Sequence, residues 1–281
     1  MTRPEVTERP GEVEGGVWLG RTRRPVRFVA LGFIVLLGGL ALWLIGNALF
    51  DPNAIGMHEM IRPAGRPIVQ LTLFALLGAL LFASLYLSDF RETIEIEPRG
   101  FFDLVSLVLS RAAMILTAAI VVVMFFEVVS RYLFSAPTLW ANELSLWLAA
   151  FVFLLAGQYA MQQRSHIRIY VIYDLMPRWL KKTADVISCA LIVGFTFALV
   201  WGGYKDAETR FLRMETFGTA WDPPIPGIVK PVLLLVVVFV AIQAVSNLIA
   251  DWNRDASAFH ADEIDETEIE NIRRTLEGGT K

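Results

Sequence analysis

The chain has 281 residues, 55% of them hydrophobic and only 19% charged, with a formal net charge of −3. Its apolar residues gather in long blocks rather than at the spacing of a water-soluble core, which excludes a soluble globular domain and marks an all-α membrane protein. The small net charge says little about partners, and no nucleic-acid partner is expected.

Residues 1–27 are polar and carry several Gly, Pro and Arg, so they read as a cytoplasmic tail without a core of its own. Six apolar segments follow: Phe28–Phe50, Ile68–Ser88, Ala112–Phe134, Leu144–Met161, Val186–Gly203 and Ile228–Ala250. A bilayer crossing needs roughly 18 or more apolar residues in a helix, and lipid offers the backbone no hydrogen-bond partner, so each segment is expected to be helical. The alternating segments of a transmembrane barrel are absent. The first segment is too long for a signal-peptide core and is read as an uncleaved anchor.

The first two segments form a hairpin around a loop, Asp51–Pro67, punctuated by Pro52, Pro63 and Pro67. A composition break, "SDFRETIEIEPRG" at Ser88–Gly100, then separates this additional hairpin and its linker (28–100) from a four-helix domain (101–252). Phe101–Ser110 places Asp103, Ser106 and Ser110 on one helical face. That pattern fits either a short helix lying in the membrane interface or the start of a long third helix.

A short turn with Pro137 joins segments three and four. The connection 162–185 mixes cations with Ile, Tyr and Trp179, a composition that rests at headgroup level. The loop Tyr204–Gly227 is expected to begin as a helical extension to about Met214 and to break at Gly218 and "DPPIPG". Residues 253–281 form an acidic tail.

Lysine and arginine set the orientation. With a cytoplasmic N-terminus the inner side holds thirteen of them close to the spans, in the tails and connections and with Arg111 among them, against five outside, or seven if Arg131 and Lys230 are included. Both ends are therefore expected in the cytoplasm.

The residues offer little for catalysis. His58, His166 and His260 lie in separate connections or tails, so facing haem ligands within helices are missing. Cys189 is the single cysteine, which excludes an internal disulfide and a cysteine metal cluster. Hydrolase, zinc-protease and P-loop motifs do not occur. No enzyme activity, cofactor or metal is expected. The helix interiors hold mainly Gly, Ser, Thr and a few amides, and Gly38, Gly39, Gly78 and Gly194 suit close helix packing. Such a bundle reads as a scaffolding or accessory subunit.

The charged exception is "RYLFSAPTLWANEL" at Arg131–Leu144. Glu127 and Arg131 are four apart with the acid first, so they can pair along one helix face. Trp140 suits an aromatic belt, and Glu143 stands where a helix start favours a carboxylate. These residues, with His166 at the other surface, are the candidate structural or partner-interface residues; contact with a moving solute is a third reading.

"VVSRYLFSAPTLWANELSLWLAAFVFLLAGQYAMQQRSHIRIYVIYDLMP" resembles the small membrane subunit, or DctQ-like small permease, of tripartite ATP-independent periplasmic (TRAP) transporters. The matching pieces are Arg131–Phe134, Trp140 with Glu143 and Leu144, Gly157, Arg164 with His166 and Ile167, and Leu175–Pro177. "PPIPGIVKPVLLLVVVFVAIQ" resembles the entry to the family's last helix. The likeness covers roughly 101–252 and leaves the first 100 residues outside. Asn142 and Tyr170 depart from the pattern, each standing where an acid is expected. The resemblance implies a subunit of the bacterial inner membrane that braces a large permease. That permease imports an organic acid with sodium, and a periplasmic substrate-binding protein supplies the solute. Membrane lipid is the remaining partner. Two other readings stand beside it: a membrane anchor of a respiratory or other redox complex, and a self-sufficient carrier or channel.

Overall fold

The computed structural model describes residues 18–51, 54–90, 95, 98, 100–163 and 177–252. The helices in chain order are α1 (Arg23–Phe50), the single turn α2 (Met57–Met60), α3 (Pro67–Leu87), α4 (Phe101–Leu133), α5 (Ala141–Gln162), α6 (Arg178–Leu212) and α7 (Ile225–Asp251). Among the described residues there is no strand, and six helices are long and apolar enough to cross a membrane. The all-α membrane architecture follows from the hydropathy blocks, because in lipid a helix is the only open segment that satisfies its own backbone.

The helices outrun the apolar blocks at several ends. α5 begins at Ala141 and α6 runs from Arg178 to Leu212, so both include polar turns that a hydropathy criterion leaves out. α6 stops at Leu212, close to the expected end near Met214, where Met214 takes a positive φ of 46°. α4 is continuous from Phe101 to Leu133. Phe101–Ser110 is thus the start of the long third helix and not a separate interfacial one. Ser106 and Ser110 are buried, so their face looks into protein rather than toward headgroups.

The chain divides into two compact units, residues 1–91 and 92–281. In the first, α1 packs along α3. Phe33 of α1 stacks on Phe82 with ring centroids 5.6 Å apart and meets the edge of Phe74 at the same distance. Gly78 makes room for that ring: a Cβ there would lie 2.5 Å from Phe33. Of the glycines expected to favour close packing, Gly78 does so. Gly38, Gly39 and Gly194 have no neighbouring atom within 4 Å of a built Cβ, so no described helix presses on them.

The ends of the hairpin are tied by Asp89, whose side chain is wholly buried. Its Oδ1 accepts the backbone N–H groups of Trp18 at 3.0 Å and Leu19 at 2.9 Å, and Arg23 Nε lies 3.2 Å from Oδ2. A carboxylate is well placed there because the N–H groups leading into a helix lack partners of their own. The Arg23 guanidinium also lies over the Phe90 ring, 4.4 Å from its centroid.

In the second unit α4 pairs with α5 and α6 with α7, and α5 packs on α7 to join the two pairs. Met161, Cys189 and Ala244 form a small apolar centre with Ile192, Val240 and Leu248. Much of the remaining apolar surface faces outward, as at Phe125, Phe153 and Trp201. Hydroxyls within the spans are largely quenched locally: Thr72, Ser84 and Thr117 donate to backbone carbonyls one turn back on their own helices. That is the usual way such groups are tolerated in an apolar setting.

Candidate functional site

Two polar clusters lie at opposite ends of the second unit. The first is built on the Arg131–Leu144 stretch. Glu127, on the last turns of α4, is buried, and its carboxylate is divided between two tasks. Oε1 accepts from Arg131 Nε at 3.0 Å and Nη2 at 2.5 Å. Oε2 accepts the backbone N–H of Thr138 at 3.0 Å and also its hydroxyl. The i, i+4 pair is therefore present, but Glu127 also fastens the turn that follows the helix. Thr138 Oγ1 in turn accepts the Ala141 N–H at 3.4 Å, one of the unpaired donors at the start of α5. Ser130 holds the same turn, donating its hydroxyl to the Ala136 carbonyl and accepting the Ala136 N–H at its own carbonyl.

Trp140 is half-buried at the mouth of α5 and stacks on Phe126 of α4, centroids 5.7 Å apart. Glu143 lies in the first turn of α5, and its Oε2 accepts the Thr219 hydroxyl at 2.6 Å. It thereby ties α5 to the loop between α6 and α7. The third tie at this end is Asp206, which accepts from Arg210 Nε at 2.9 and 3.0 Å and from Lys230 of α7. Arg210 further contacts Glu215. Gly227 lets this loop fold tightly, since a Cβ there would come within 3.0 Å of the Glu215 nitrogen. Glu127, Arg131 and Trp140 thus share one turn, Glu143 reaches a neighbouring loop, and His166 lies outside the described residues. Arg131 keeps half of its side chain exposed, which leaves guanidinium donors open to water or to a partner.

The second cluster, at the far end of the bundle, was not anticipated. Gln158 of α5 donates to Ser106 Oγ at 2.8 Å, and Ser106 donates to Gln243 Oε1 of α7 at 3.3 Å. Gln243 donates to Asp103 at 2.6 Å and to Asn247 at 3.0 Å, while Asn247 donates to the Met161 carbonyl at 2.7 Å. Ser106 and Gln243 have no exposed surface, and Gln158 has almost none. The chain of bonds stitches α4, α5 and α7. Beside it, Arg111 donates to Glu95 at 2.6 Å with both side chains buried, and the Tyr159 hydroxyl donates to the other Glu95 oxygen at 2.8 Å. Arg111, one of the cations that the sequence assigns to the inner side, is thus buried.

Sequence cues for this cluster exist but are faint. Asp103, Ser106 and Ser110 share a face, and Gln243 with Asn247, like Gln158 with Gln162, repeats at the helical spacing of four. Their meeting depends on how α4, α5 and α7 pack. None of these groups makes a nucleophile–base pair of the kind covalent catalysis needs. Among the described residues no three His, Cys, Asp or Glu side chains are placed to hold a metal ion. What the arrangement does chemically is hold helices and their connections in register.

Part of the chain is similar to known proteins. Residues 120–254 match the family described as tripartite ATP-independent periplasmic transporters, DctQ component. A curated relative is the C4-dicarboxylate TRAP transporter small permease protein DctQ of Vibrio cholerae serotype O1 (strain ATCC 39315 / El Tor Inaba N16961). It is 27% identical over 112 residues, which is 40% of this chain and 48% of the relative. The chain thus spans about half the length of the curated relative it matches. Both matches are to a transporter component and neither is to an enzyme. From residue 120 to residue 254 this chain, with six helices long and apolar enough to cross a membrane among its described residues, is similar to the DctQ component family of TRAP transporters.

Proposed function

We propose that the protein is the small permease subunit of a sodium-coupled TRAP importer in a bacterial inner membrane. It braces a large permease that moves an organic acid delivered by a periplasmic binding protein. The observation that carries this reading is the family match over 120–254. The structure supports it in kind: polar groups are spent on holding helices together, and wide apolar faces are left for lipid and a membrane partner. The relative's printed name makes a C4-dicarboxylate the first solute to try. In this reading the four-helix domain of 101–252 is the bracing element and the hairpin of 28–100 extends it.

Uptake of labelled succinate, and of a panel of other organic acids, tests the reading in cells with and without this chain. The expected result is loss of sodium-dependent uptake of at least one acid, restored by the chain. Unchanged uptake of every acid overturns it. A haem absorption band in the purified chain moves the protein to the redox-anchor reading instead.

The cation bias supports a cytoplasmic position for both termini. In a Cys189→Ser background, Thr219→Cys should react with an impermeant thiol reagent in intact cells and Ser257→Cys should not. Labelling at position 257 from outside reverses the orientation.

A further inference from the structure

The additional hairpin lies outside the family match, and its α1 carries an arrangement that the bracing role does not use. Four arginines stand at its start: Arg21, Arg23, Arg24 and Arg27. Arg23 is committed to Asp89 and the Phe90 ring. Arg21, Arg24 and Arg27 are exposed, and among the described residues none of them has an acidic partner. Cations on a fixed turn that no described carboxylate neutralises suit an anion. The turn is fixed because Asp89 holds the backbone of Trp18 and Leu19 immediately before it.

What lies below those arginines identifies the anion. Positions 24, 28, 31 and 35 fall on one face of a helix. On α1 they are Arg24 followed by Phe28, Leu31 and Val35, which are 71%, 44% and 71% exposed. At about 1.5 Å per residue this stripe runs roughly 16 Å, close to one leaflet's half of a hydrocarbon core of about 30 Å. Trp18, whose indole N–H donates to Ser88 Oγ at 3.2 Å, sits at the same end. Tryptophan favours the headgroup level of a membrane. A free anion or an acidic peptide would match the arginines but leave the apolar track unused. A phospholipid with an anionic headgroup matches both.

We propose that the N-terminal hairpin binds an anionic phospholipid, with the headgroup phosphate held by Arg21, Arg24 and Arg27 and an acyl chain lying along Phe28, Leu31 and Val35. The hairpin then fixes the protein in anionic membrane. This proposal does not depend on the TRAP reading.

Native mass spectrometry of the full chain tests it, in micelles doped equally with phosphatidylglycerol and phosphatidylcholine. The wild type should retain phosphatidylglycerol in preference by about tenfold or more, given the attraction of each membrane-surface arginine for anionic lipid. Arg21→Gln/Arg24→Gln/Arg27→Gln should abolish the preference with unchanged helical circular dichroism, because all three side chains are exposed. Phe28→Gln/Val35→Gln should lower total lipid retention. Excess inorganic phosphate should fail to displace the lipid. No headgroup preference in the wild type overturns the proposal, as does full preference in the triple Gln variant or displacement by inorganic phosphate.

Discussion

The two ends of the four-helix unit hold together by different means. At the Glu127 end, charged groups tie short connections to the helices beside them, and several of those groups remain half exposed, as at Arg131, Asp206 and Lys230. At the Gln243 end, mostly neutral groups bond across three helices with no exposed surface at Ser106 or Gln243. The contrast is one of cost. A half-exposed ion pair can be lost to water cheaply, whereas a buried donor or acceptor that loses its partner bears the full cost of desolvation. The Gln243 end should therefore set the rigidity of the bundle. The Glu127 end should set the shape of the surface it presents.

The largest expected loss is at Arg111. Arg111→Met removes the cation from a buried pair and leaves the Glu95 carboxylate with the Tyr159 hydroxyl but without that charge. Breaking a buried pair on one side costs about 3 kcal/mol or more. Thermal unfolding in detergent should show a clear drop in melting temperature. Glu95→Gln in the Arg111→Met background should recover part of it, since the side chain that faced Arg111 then carries no charge. No recovery would assign the loss to packing alone.

Next comes Gln243→Leu, which keeps the volume roughly but takes partners from Asp103, Ser106 and Asn247 at once. Interhelical hydrogen bonds in membranes contribute less than intuition suggests, so about 2 kcal/mol is expected rather than the sum of three full bonds. A melting temperature equal to wild type would remove the buried network from the account of stability.

The smallest effect is expected from the Glu127 and Arg131 pair. Glu127→Gln should cost more than Arg131→Gln, because Glu127 also holds Thr138 and the turn into α5. In a double-mutant cycle the paired change should cost less than the sum of the singles. Zero coupling would dissolve the pair. If solute uptake falls in Arg131→Gln while stability and complex recovery stay unchanged, Arg131 acts on the solute instead.

Much of this fold is legible in sequence because bilayer thickness demands long apolar runs, and such runs do not need a partner to be recognised. The exact starts are not, since α5 begins at Ala141 and α6 at Arg178, ahead of their apolar blocks, where helix geometry persists into polar residues. The Glu127–Arg131 pair is visible because its members are four residues apart on one helix. The additional bond to Thr138 is not, because it depends on how the turn after α4 folds back. Gln243 is separated from Asp103 by 140 residues and from Ser106 by 137, so only the packing of α4 on α7 brings them together. A residue pattern on one helix cannot show which helix it will face. The same limit hides the burial of Arg111, whose partner Glu95 lies in the preceding linker.

The proposal that this chain braces a larger membrane partner is tested most directly by mass analysis of what co-purifies with it in mild detergent. A large, many-helix membrane protein should be recovered in fixed proportion, and retained when Arg131→Gln is introduced without loss of folding. Recovery of a haem- or flavin-bearing complex would contradict it, as would a chain that purifies alone and carries labelled succinate across a vesicle membrane by itself.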